Sequence, residues 1–178
     1  MAETTVRGAT VEDAPAIAHV HVRSWQAAYR GLIDDAYLDS LDEAARSEGW
    51  SRSIGSGRGH VLVAVIDDEV VGFTAFLASR DDDAEPGCGE VSAIYLLPEV
   101  WDRGIGRALM DAALAGLADE GFDDATSWVL EGNERAIRFY ERAGFRPDGA
   151  TKVDDSRGFV LRERRLRRYL RSHPEVRG

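Results

Sequence analysis

The segment of residues 90–120 constrains the fold more than any other part of the chain. Residues 90–97 are mostly apolar and β-branched, which predicts a strand, and Pro98 ends it. A loop with two glycines follows, and residues 104–120 then carry apolar side chains at helical spacing as far as a capping glycine, Gly121. A strand that leads through a short loop into a helix is typical of folds in which helices pack on a sheet.

The rest of the chain continues this pattern of short strands and helices. Further strands are predicted at residues 5–10, 60–66, 70–78, 125–130, 145–150 and 159–169. Helices are predicted from Thr10 to Gly31, over residues 34–48 and between Asn133 and Gly144, and residues 51–59 are predicted to be a loop. This order predicts a mixed sheet with helices, of class α/β or α+β.

Length and composition indicate one soluble domain. The chain has 178 residues, no internal repeat and no long linker, so we expect a single domain over residues 1–178. No apolar run approaches the roughly 20 residues of a membrane span, and the N-terminus lacks the pattern of a secretory signal. The lone cysteine, Cys88, forms no internal disulfide. Together these features predict a cytoplasmic protein without a membrane partner.

The charge is distributed unevenly along the chain. The formal net charge is −10, which argues against general binding to nucleic-acid phosphates. Residues 157–178, however, contain eight arginines and only two glutamates. We interpret this basic segment as a strand edge protected by arginines; the alternative is a surface that binds RNA or an acidic partner.

The glycine loop has the chemistry of an anion-binding site. The sequence from residue 94 to residue 107 is Ile-Tyr-Leu-Leu-Pro-Glu-Val-Trp-Asp-Arg-Gly-Ile-Gly-Arg. Helix N-termini present unpaired amide groups and a partial positive charge, and glycine lets a large anion approach the backbone. Arg103 and Arg107 flank the loop and would add charge-assisted contacts. We therefore predict a pyrophosphate site; a glycine-rich turn without a ligand is the alternative.

Two other nucleotide-binding patterns do not match this loop. A Walker loop requires Gly-Lys followed by Ser or Thr, a triplet that the chain lacks. A dinucleotide-binding loop requires a third glycine at the position where Leu109 stands. Neither pattern therefore explains the two glycines.

A second motif lies at residues 133–145, with the sequence Asn-Glu-Arg-Ala-Ile-Arg-Phe-Tyr-Glu-Arg-Ala-Gly-Phe. Asn133 is a favourable N-cap and Gly144 a favourable residue after a helix end, so local structure explains both. Tyr140 follows Asn133 by about two helical turns, so the two residues share one helix face. The alternative for Tyr140 is a half-buried aromatic residue whose hydroxyl is hydrogen-bonded.

The two motifs together resemble the GCN5-related N-acetyltransferase (GNAT) family. The glycine loop after a strand and the pattern Asn-x-x-Ala-x-x-Phe-Tyr-x-x-x-Gly-Phe occur in the family's order, and the resemblance extends over residues 4–170. It implies a mixed, mostly antiparallel central sheet of six to seven strands flanked by about four helices. It also implies acetyl-CoA as co-substrate and direct transfer of its acetyl group to a primary amine of a small molecule or a protein N-terminus. A homodimer is reasonable for this family.

The resemblance assigns roles to residues by position. The backbone of Ile94, Tyr95 and Leu96 would pair with the pantetheine arm of the co-substrate, in the manner of an added strand. Asn133 would contact the same arm, and Tyr140 would protonate the departing thiolate. The pyrophosphate would be held by the backbone amides of Asp102, Arg103, Gly104, Ile105, Gly106 and Arg107.

The sequence departs from the family pattern at two places. Trp101 stands where the loop usually begins with Gln or Arg, and Trp128 stands where some relatives carry a glutamate. An attacking amine must lose a proton, so a general base, or a water chain to one, is needed. Glu90 is the candidate base, and a solvated carboxylate at a strand end is the alternative. Strand alternation places Glu90 on one face with Ser92, Ile94 and Leu96.

The acceptor side is assigned to the N-terminal helices. Trp25 and Tyr29 are candidate substrate-binding residues, with ordinary helix packing as the alternative. The acidic composition favours a cationic acceptor. No metal site is expected, because His19 and His21 lie on different sides of their helix. The predicted function is an acetyl-CoA-dependent N-acetyltransferase; the alternatives are an acyltransferase with a different acyl-CoA and a non-catalytic CoA-binding regulatory module.

Overall fold

The computed structural model describes residues 2–171. Within these residues seven strands and five α-helices alternate, with 3₁₀ turns at Val11–Asp13 and Pro98–Val100. In chain order the elements are β1 (Thr5–Gly8), α1 (Ala14–Ala28), α2 (Asp35–Asp39), α3 (Glu43–Gly55), β2 (His60–Ile66), β3 (Glu69–Ala78), β4 (Cys88–Leu96), α4 (Ile105–Asp119), β5 (Asp124–Leu130), α5 (Glu134–Arg142), β6 (Arg146–Asp154) and β7 (Leu161–Tyr169).

The seven strands form one sheet in the order β1-β2-β3-β4-β5-β7-β6. Neighbouring strands are antiparallel except β4 and β5, which run parallel. The prediction of a mixed, mostly antiparallel sheet of six to seven strands is confirmed. Apolar residues of α1 and α3 pack on one face of the sheet, and those of α4 and α5 pack on the other.

Helix α4 shows why the apolar pattern of the sequence selects this arrangement. Leu109, Met110 and Leu117 are all 0% exposed, and they face the sheet from one stripe of the helix. Full burial of such a side chain contributes about 1.5–3 kcal/mol. The stripe therefore fixes α4 on the sheet and sets the position of its N-terminus. Within residues 2–171 no helix has the length and apolar character needed to cross a membrane.

The second predicted helix differs from the structure. Instead of one helix over residues 34–48, the chain forms α2 and α3, and residues 51–55 belong to α3 rather than to a loop. Asp42 starts the new helix, because its carboxylate accepts hydrogen bonds from the amides of Ala44 and Ala45 at 2.8 and 3.3 Å. Trp50 and Ile54 pack on the core beneath α1, so tertiary contacts extend α3 through a stretch of low helix propensity.

Strand β4 contains a β-bulge, which changes the side of the sheet on which Glu90 lies. Ala93 pairs with Ala75 and Val91 pairs with Phe76, so Ser92 is an extra residue between two paired positions. Such an insertion reverses the alternation of faces along the strand. The expectation that Glu90 shares a face with Ile94 is therefore wrong: Val91 and Ile94 both join the core under α4, and Glu90 projects from the other side.

Strands β4 and β5 separate soon after they meet. Their parallel pairing covers only Cys88, Gly89 and Glu90, opposite Asp124, Ala125 and Thr126. Beyond this point β5 continues to pair with β7 as far as Leu130, while β4 continues with β3. The sheet is therefore split along its middle, and the split widens toward the glycine loop after β4.

The arginine-rich segment does not form a sheet edge. β7 lies between β5 and β6, so the interpretation as a protected strand edge is wrong. Arg165 is only 7% exposed at its side chain and forms ion pairs with Asp81, Asp83 and Asp148. Arg167 pairs with Asp124 and Asp148. Much of the positive charge of this segment is thus matched by carboxylates of the same fold; residues 172–178 lie outside the described part.

Candidate active site

A cavity of about 580 Å³ occupies the split between β4 and β5. It reaches from the glycine loop and α5 on one side of the sheet to α1 on the other. The predicted site residues that line it are Tyr29, Ile94, Tyr95, Leu96, Asp102, Gly104, Gly106, Arg107, Asn133 and Tyr140. Residues from two separate motifs and from the first helix thus meet in one cleft. We call this cavity the cleft.

Four predicted site residues are not part of the cleft lining, which contains no side chain of Glu90, Trp25, Arg103 or Ile105. Ile105 is 3% exposed and packs in the core, so its backbone amide alone is available for the predicted role. Arg103 is exposed on the loop. Trp25 supports the wall from behind, with its ring centroid 5.0 Å from that of Tyr29.

The glycine loop presents the start of α4 to the cleft. Gly104 is the N-cap and has φ of 80°, a left-handed conformation that favours glycine. Ala108 donates its amide to the Gly104 carbonyl, so the amides that precede it in the first turn have no partner within the helix. Gly106 leaves the space between the loop, Phe139 and Leu96 unfilled. A Cβ at this position would lie 3.1 Å from Phe139 and 3.3 Å from Leu96. These features fit a bound pyrophosphate.

Tyr140 lines the cleft, and its hydroxyl contacts Ser127. The Ser127 hydroxyl lies 3.0 Å from the Tyr140 hydroxyl and 2.9 Å from the Val91 carbonyl oxygen. A serine hydroxyl has one proton, so Ser127 donates to one of these oxygens at a time: when it donates to Tyr140, the phenol proton is free for another acceptor, and when it donates to Val91, its oxygen accepts from the phenol. Burial raises the pKa of Tyr140 above its usual value, which keeps the phenol protonated.

Glu90 lies outside the cleft lining and pairs with Arg80. Its side chain is 6% exposed, and its carboxylate accepts hydrogen bonds from Arg80, including Nη2 to Oε1 at 2.9 Å and the backbone amide at 3.2 Å. This pairing raises the pKa of the Arg80 guanidinium. The geometry accounts for Glu90 as the buried partner of Arg80 and gives no support to the predicted role as general base.

The acceptor side of the cleft is aromatic, and its two tyrosines are neutral. Burial raises the pKa of both Tyr29 and Tyr95, so both phenols stay neutral. Behind them His21 stacks on Tyr95 with ring centroids 5.3 Å apart and accepts a hydrogen bond at Nδ1 from Trp50. Burial, with Arg46 nearby, lowers the pKa of His21 to about 3. His21, Tyr29 and Tyr95 therefore offer no base for an ammonium group, whereas the carboxylate of Glu163 is close enough to contribute to the raised pKa of both phenols.

Sequence reasoning missed several residues of the cleft. Arg135, Arg138 and Arg142 line it from α5, and their spacing of three and four residues places them on one helix face. That spacing was visible in the sequence. Ser127 carried no such signal, because its role depends on the distance between β5 and α5.

The described residues contain no cluster of three or more His, Cys, Asp or Glu side chains with the geometry of a metal site. Cys88 is buried, and burial raises the pKa of its thiol. It therefore lacks the thiolate character of a nucleophile.

Comparison with known proteins identifies the family. A profile of the acetyltransferase (GNAT) family matches residues 20–145. An uncharacterized N-acetyltransferase of Bacillus subtilis (strain 168), YuaI, is 40% identical over 141 residues, which make up 77% of each chain. The fold and the cleft therefore define an N-acetyltransferase. The chain belongs to the acetyltransferase (GNAT) family, as the two sequence motifs predict.

Solved structures show the same fold. The PaiA N-acetyltransferase of Thermoplasma acidophilum, in complex with coenzyme A, has a TM-score of 0.71 at 22% identity, over 94% of this chain and 99% of that one. YncA of Salmonella typhimurium, solved with its cofactor acetyl-CoA, has a TM-score of 0.73 at 22% identity, over 98% of this chain and 99% of that one. Similarity at this level of identity establishes the architecture.

Proposed function

We propose that this protein transfers the acetyl group of acetyl-CoA directly to a primary amine of a small molecule or a protein N-terminus. The observation that carries the proposal is the cleft itself. One cavity connects an anion-binding helix N-terminus, an unpaired stretch of strand, a protonated phenol and an aromatic wall. These groups have the chemistry to contact the diphosphate, the pantetheine arm, the thioester sulfur and the acceptor amine, respectively.

The donor half of the cleft is preformed. The amides at the start of α4 and the side chain of Arg107 would bind the diphosphate of acetyl-CoA. The backbone of β4 beyond the bulge has no strand partner on its β5 side, so it is free to pair with the amide groups of the pantetheine arm, except at the Leu96 carbonyl oxygen, which accepts a hydrogen bond from Trp101. Asn133 uses its Oδ1 to cap α5, which leaves its NH₂ group to donate toward the same arm.

Tyr140 would assist departure of the thiolate. A phenol whose pKa is raised above that of a thiol, about 8.5, holds its proton and donates a hydrogen bond to the developing negative charge on sulfur. Ser127 keeps the phenol in place during this step. A backbone amide of β4 near Ile94 would stabilise the negative charge that develops on the thioester oxygen.

The cleft lining offers the acceptor amine no side-chain base on the acceptor side. Asp102 is the one carboxylate among the described residues that line the cleft, and it belongs to the glycine loop. We therefore assign the loss of the amine proton to water at the acceptor opening. Under this proposal kcat/KM increases with pH up to the pKa of the amine itself, about 8–10.4 depending on the amine.

Calorimetric titration with acetyl-CoA, with NADH and ATP as controls, tests donor binding. We expect a Kd near 10 μM, about −7 kcal/mol, and no heat from the controls. A panel of primary amines with detection of released thiol then tests transfer. Absence of binding up to millimolar acetyl-CoA would refute the proposal, and binding without turnover on any amine would support a non-catalytic CoA-binding module instead.

The variant Glu90→Gln tests the proton route. If water removes the proton, Glu90→Gln keeps kcat within about threefold and lowers thermal stability, because the buried partner of Arg80 loses its charge. If Glu90 is the base, kcat falls by about 10²–10⁴ and the dependence of kcat/KM on pH changes.

A further inference from the structure

Three side chains form a linked group beside the glycine loop. The indole Nε1 of Trp101 donates a hydrogen bond to the Leu96 carbonyl oxygen at 3.1 Å. The guanidinium of Arg135 lies over the Trp101 ring, 4.1 Å from its centroid. The same guanidinium donates to the Asp102 carboxylate at 3.2 and 3.4 Å. All three side chains line the cleft.

Trp101 holds Arg135 in a defined orientation. Its indole bond to the end of β4 fixes the plane of the ring, and an arginine stacks flat on such a plane. Arg135 remains 45% exposed, so its charge reaches the cleft instead of being buried under the ring. The tryptophan that departs from the family pattern thus provides a platform for an arginine contributed by another element, α5.

Asp102 is the member of the group that does not fit an anion site. It lies within the predicted diphosphate-binding loop, has φ of 60° and is 80% exposed at its side chain. A carboxylate at this position repels a phosphate that approaches the amides. An exposed ion pair is also weak, so Arg135 exchanges its partner easily.

We propose that Arg135 is a phosphate-binding residue of the donor site, held by Trp101, and that Asp102 occupies it when no donor is bound. A phosphate accepts two parallel N–H groups of a guanidinium, as the Asp102 carboxylate does in this structure, so it can take the place of Asp102 on Arg135. Donor binding transfers Arg135 from Asp102 to a phosphate of the donor. Asp102 therefore lowers donor affinity, and Arg135 raises it. This inference rests on the proposed function, because it requires acetyl-CoA as donor.

Opposite effects of two variants test the exchange. Arg135→Gln should raise the KM for acetyl-CoA about tenfold with kcat unchanged, because a charge-assisted hydrogen bond is lost. Asp102→Asn should lower that KM about threefold, since asparagine tolerates the left-handed backbone but carries no charge. If Arg135 only braces the loop through Asp102, both variants raise KM, and the proposal is wrong. Arg58→Gln, an exposed arginine outside the cleft lining, is the matched control and should leave KM unchanged.

Shortened donors identify the phosphate that Arg135 binds. Acetyl-CoA, acetyl-dephospho-CoA without the 3′-phosphate, and S-acetylpantetheine without any phosphate are compared in wild type and Arg135→Gln. The penalty should disappear with S-acetylpantetheine. If it persists with acetyl-dephospho-CoA, Arg135 binds the diphosphate, and if it disappears there too, Arg135 binds the 3′-phosphate. An equal penalty with all three donors would overturn the proposal.

Calorimetric binding of CoA gives a readout that does not depend on the acceptor amine. In this experiment Arg135→Gln should weaken CoA about tenfold and Asp102→Asn should strengthen it. Wild-type protein that binds CoA but acetylates no amine would contradict the proposed function and leave the exchange testable. Equal CoA affinity of wild type and Arg135→Gln would refute the exchange alone.

Discussion

Replacement of Tyr140 by phenylalanine removes one hydroxyl from the lining of the cleft. The residue is 7% exposed, and its hydroxyl contacts Ser127 at 3.0 Å. A hydrogen bond to a charged group contributes about 1.5–3 kcal/mol, and about 1.4 kcal/mol corresponds to tenfold in rate. We therefore expect Tyr140→Phe to lower kcat about 10- to 100-fold. The ring and its packing remain, so the KM for acetyl-CoA should change less than threefold.

The effect on stability should be small by comparison. Ser127 keeps its contact with the Val91 carbonyl oxygen at 2.9 Å, so the variant leaves no buried hydroxyl unpaired. A neutral hydrogen bond contributes about 1 kcal/mol, which for a chain of this length corresponds to a change in Tm of about 2–4 °C. A thermal melt therefore separates loss of catalysis from loss of folding.

The assay is steady-state release of CoA thiol at saturating amine. Tyr169→Phe, at a tyrosine on β7 that is 60% exposed and outside the cleft lining, is the matched control and should keep the wild-type kcat. Wild-type kcat should also show no loss from ionisation of Tyr140 below about pH 10, because burial raises the pKa of this phenol. A Tyr140→Phe variant that folds and retains kcat within twofold would refute the assignment of Tyr140 to the leaving group.

Three further variants test the loop and the stability of the fold. Gly106→Ala places a methyl group 3.1 Å from an aromatic carbon of α5, so donor affinity measured by calorimetry should fall about tenfold; unchanged affinity would contradict the assignment of the loop. Arg165→Met leaves Asp148 and its neighbours without their buried cation, and urea unfolding should show a loss of about 3 kcal/mol, whereas a loss under 0.5 would argue against the network. Arg7 lowers the pKa of Asp13 to about 2, so this pair stabilises the fold above the unfolded carboxyl pKa and the contribution disappears as pH falls toward 2. Arg7→Gln should therefore lose less stability between pH 5 and pH 2 than wild type does, and equal losses in acid unfolding curves would contradict this linkage.

The sequence predicts those parts of the fold that local patterns determine. Residues 60–66 form a strand as expected, because β-branched residues and flanking turns specify it without help from the rest of the chain. The glycine loop and helix α4 are also predicted from their own residues alone. Asn133 and Tyr140 meet the same cleft because helical geometry alone places them on one face.

The parts that were not predicted depend on distant residues. The bulge at Ser92 is defined by its pairing with β3, and no local signal marks it. Glu90 acquires its partner from the loop after β3, ten residues earlier in the chain. The split of the second helix follows from a cap at Asp42 and from packing of α3 on α1. In each case the local sequence is compatible with more than one structure, and contacts with distant residues select the one that forms.

The short pairing between β4 and β5 affects how strongly the two halves of the sheet are held together. Only three residue pairs join the two halves of the sheet there. In the free protein the half with β5, β6 and β7 is otherwise coupled to the other half through α4, the packing around it and the ion pairs of Arg165 with Asp81 and Asp83. A donor whose pantetheine arm bonds to β4 while its contacts reach Asn133 and Tyr140 would complete the interrupted sheet. The donor would then link the two halves of the sheet in addition to being a reactant. Its binding should make the two halves unfold as one cooperative unit, so amide hydrogen exchange in β5 and β7 should be slower than in the free protein.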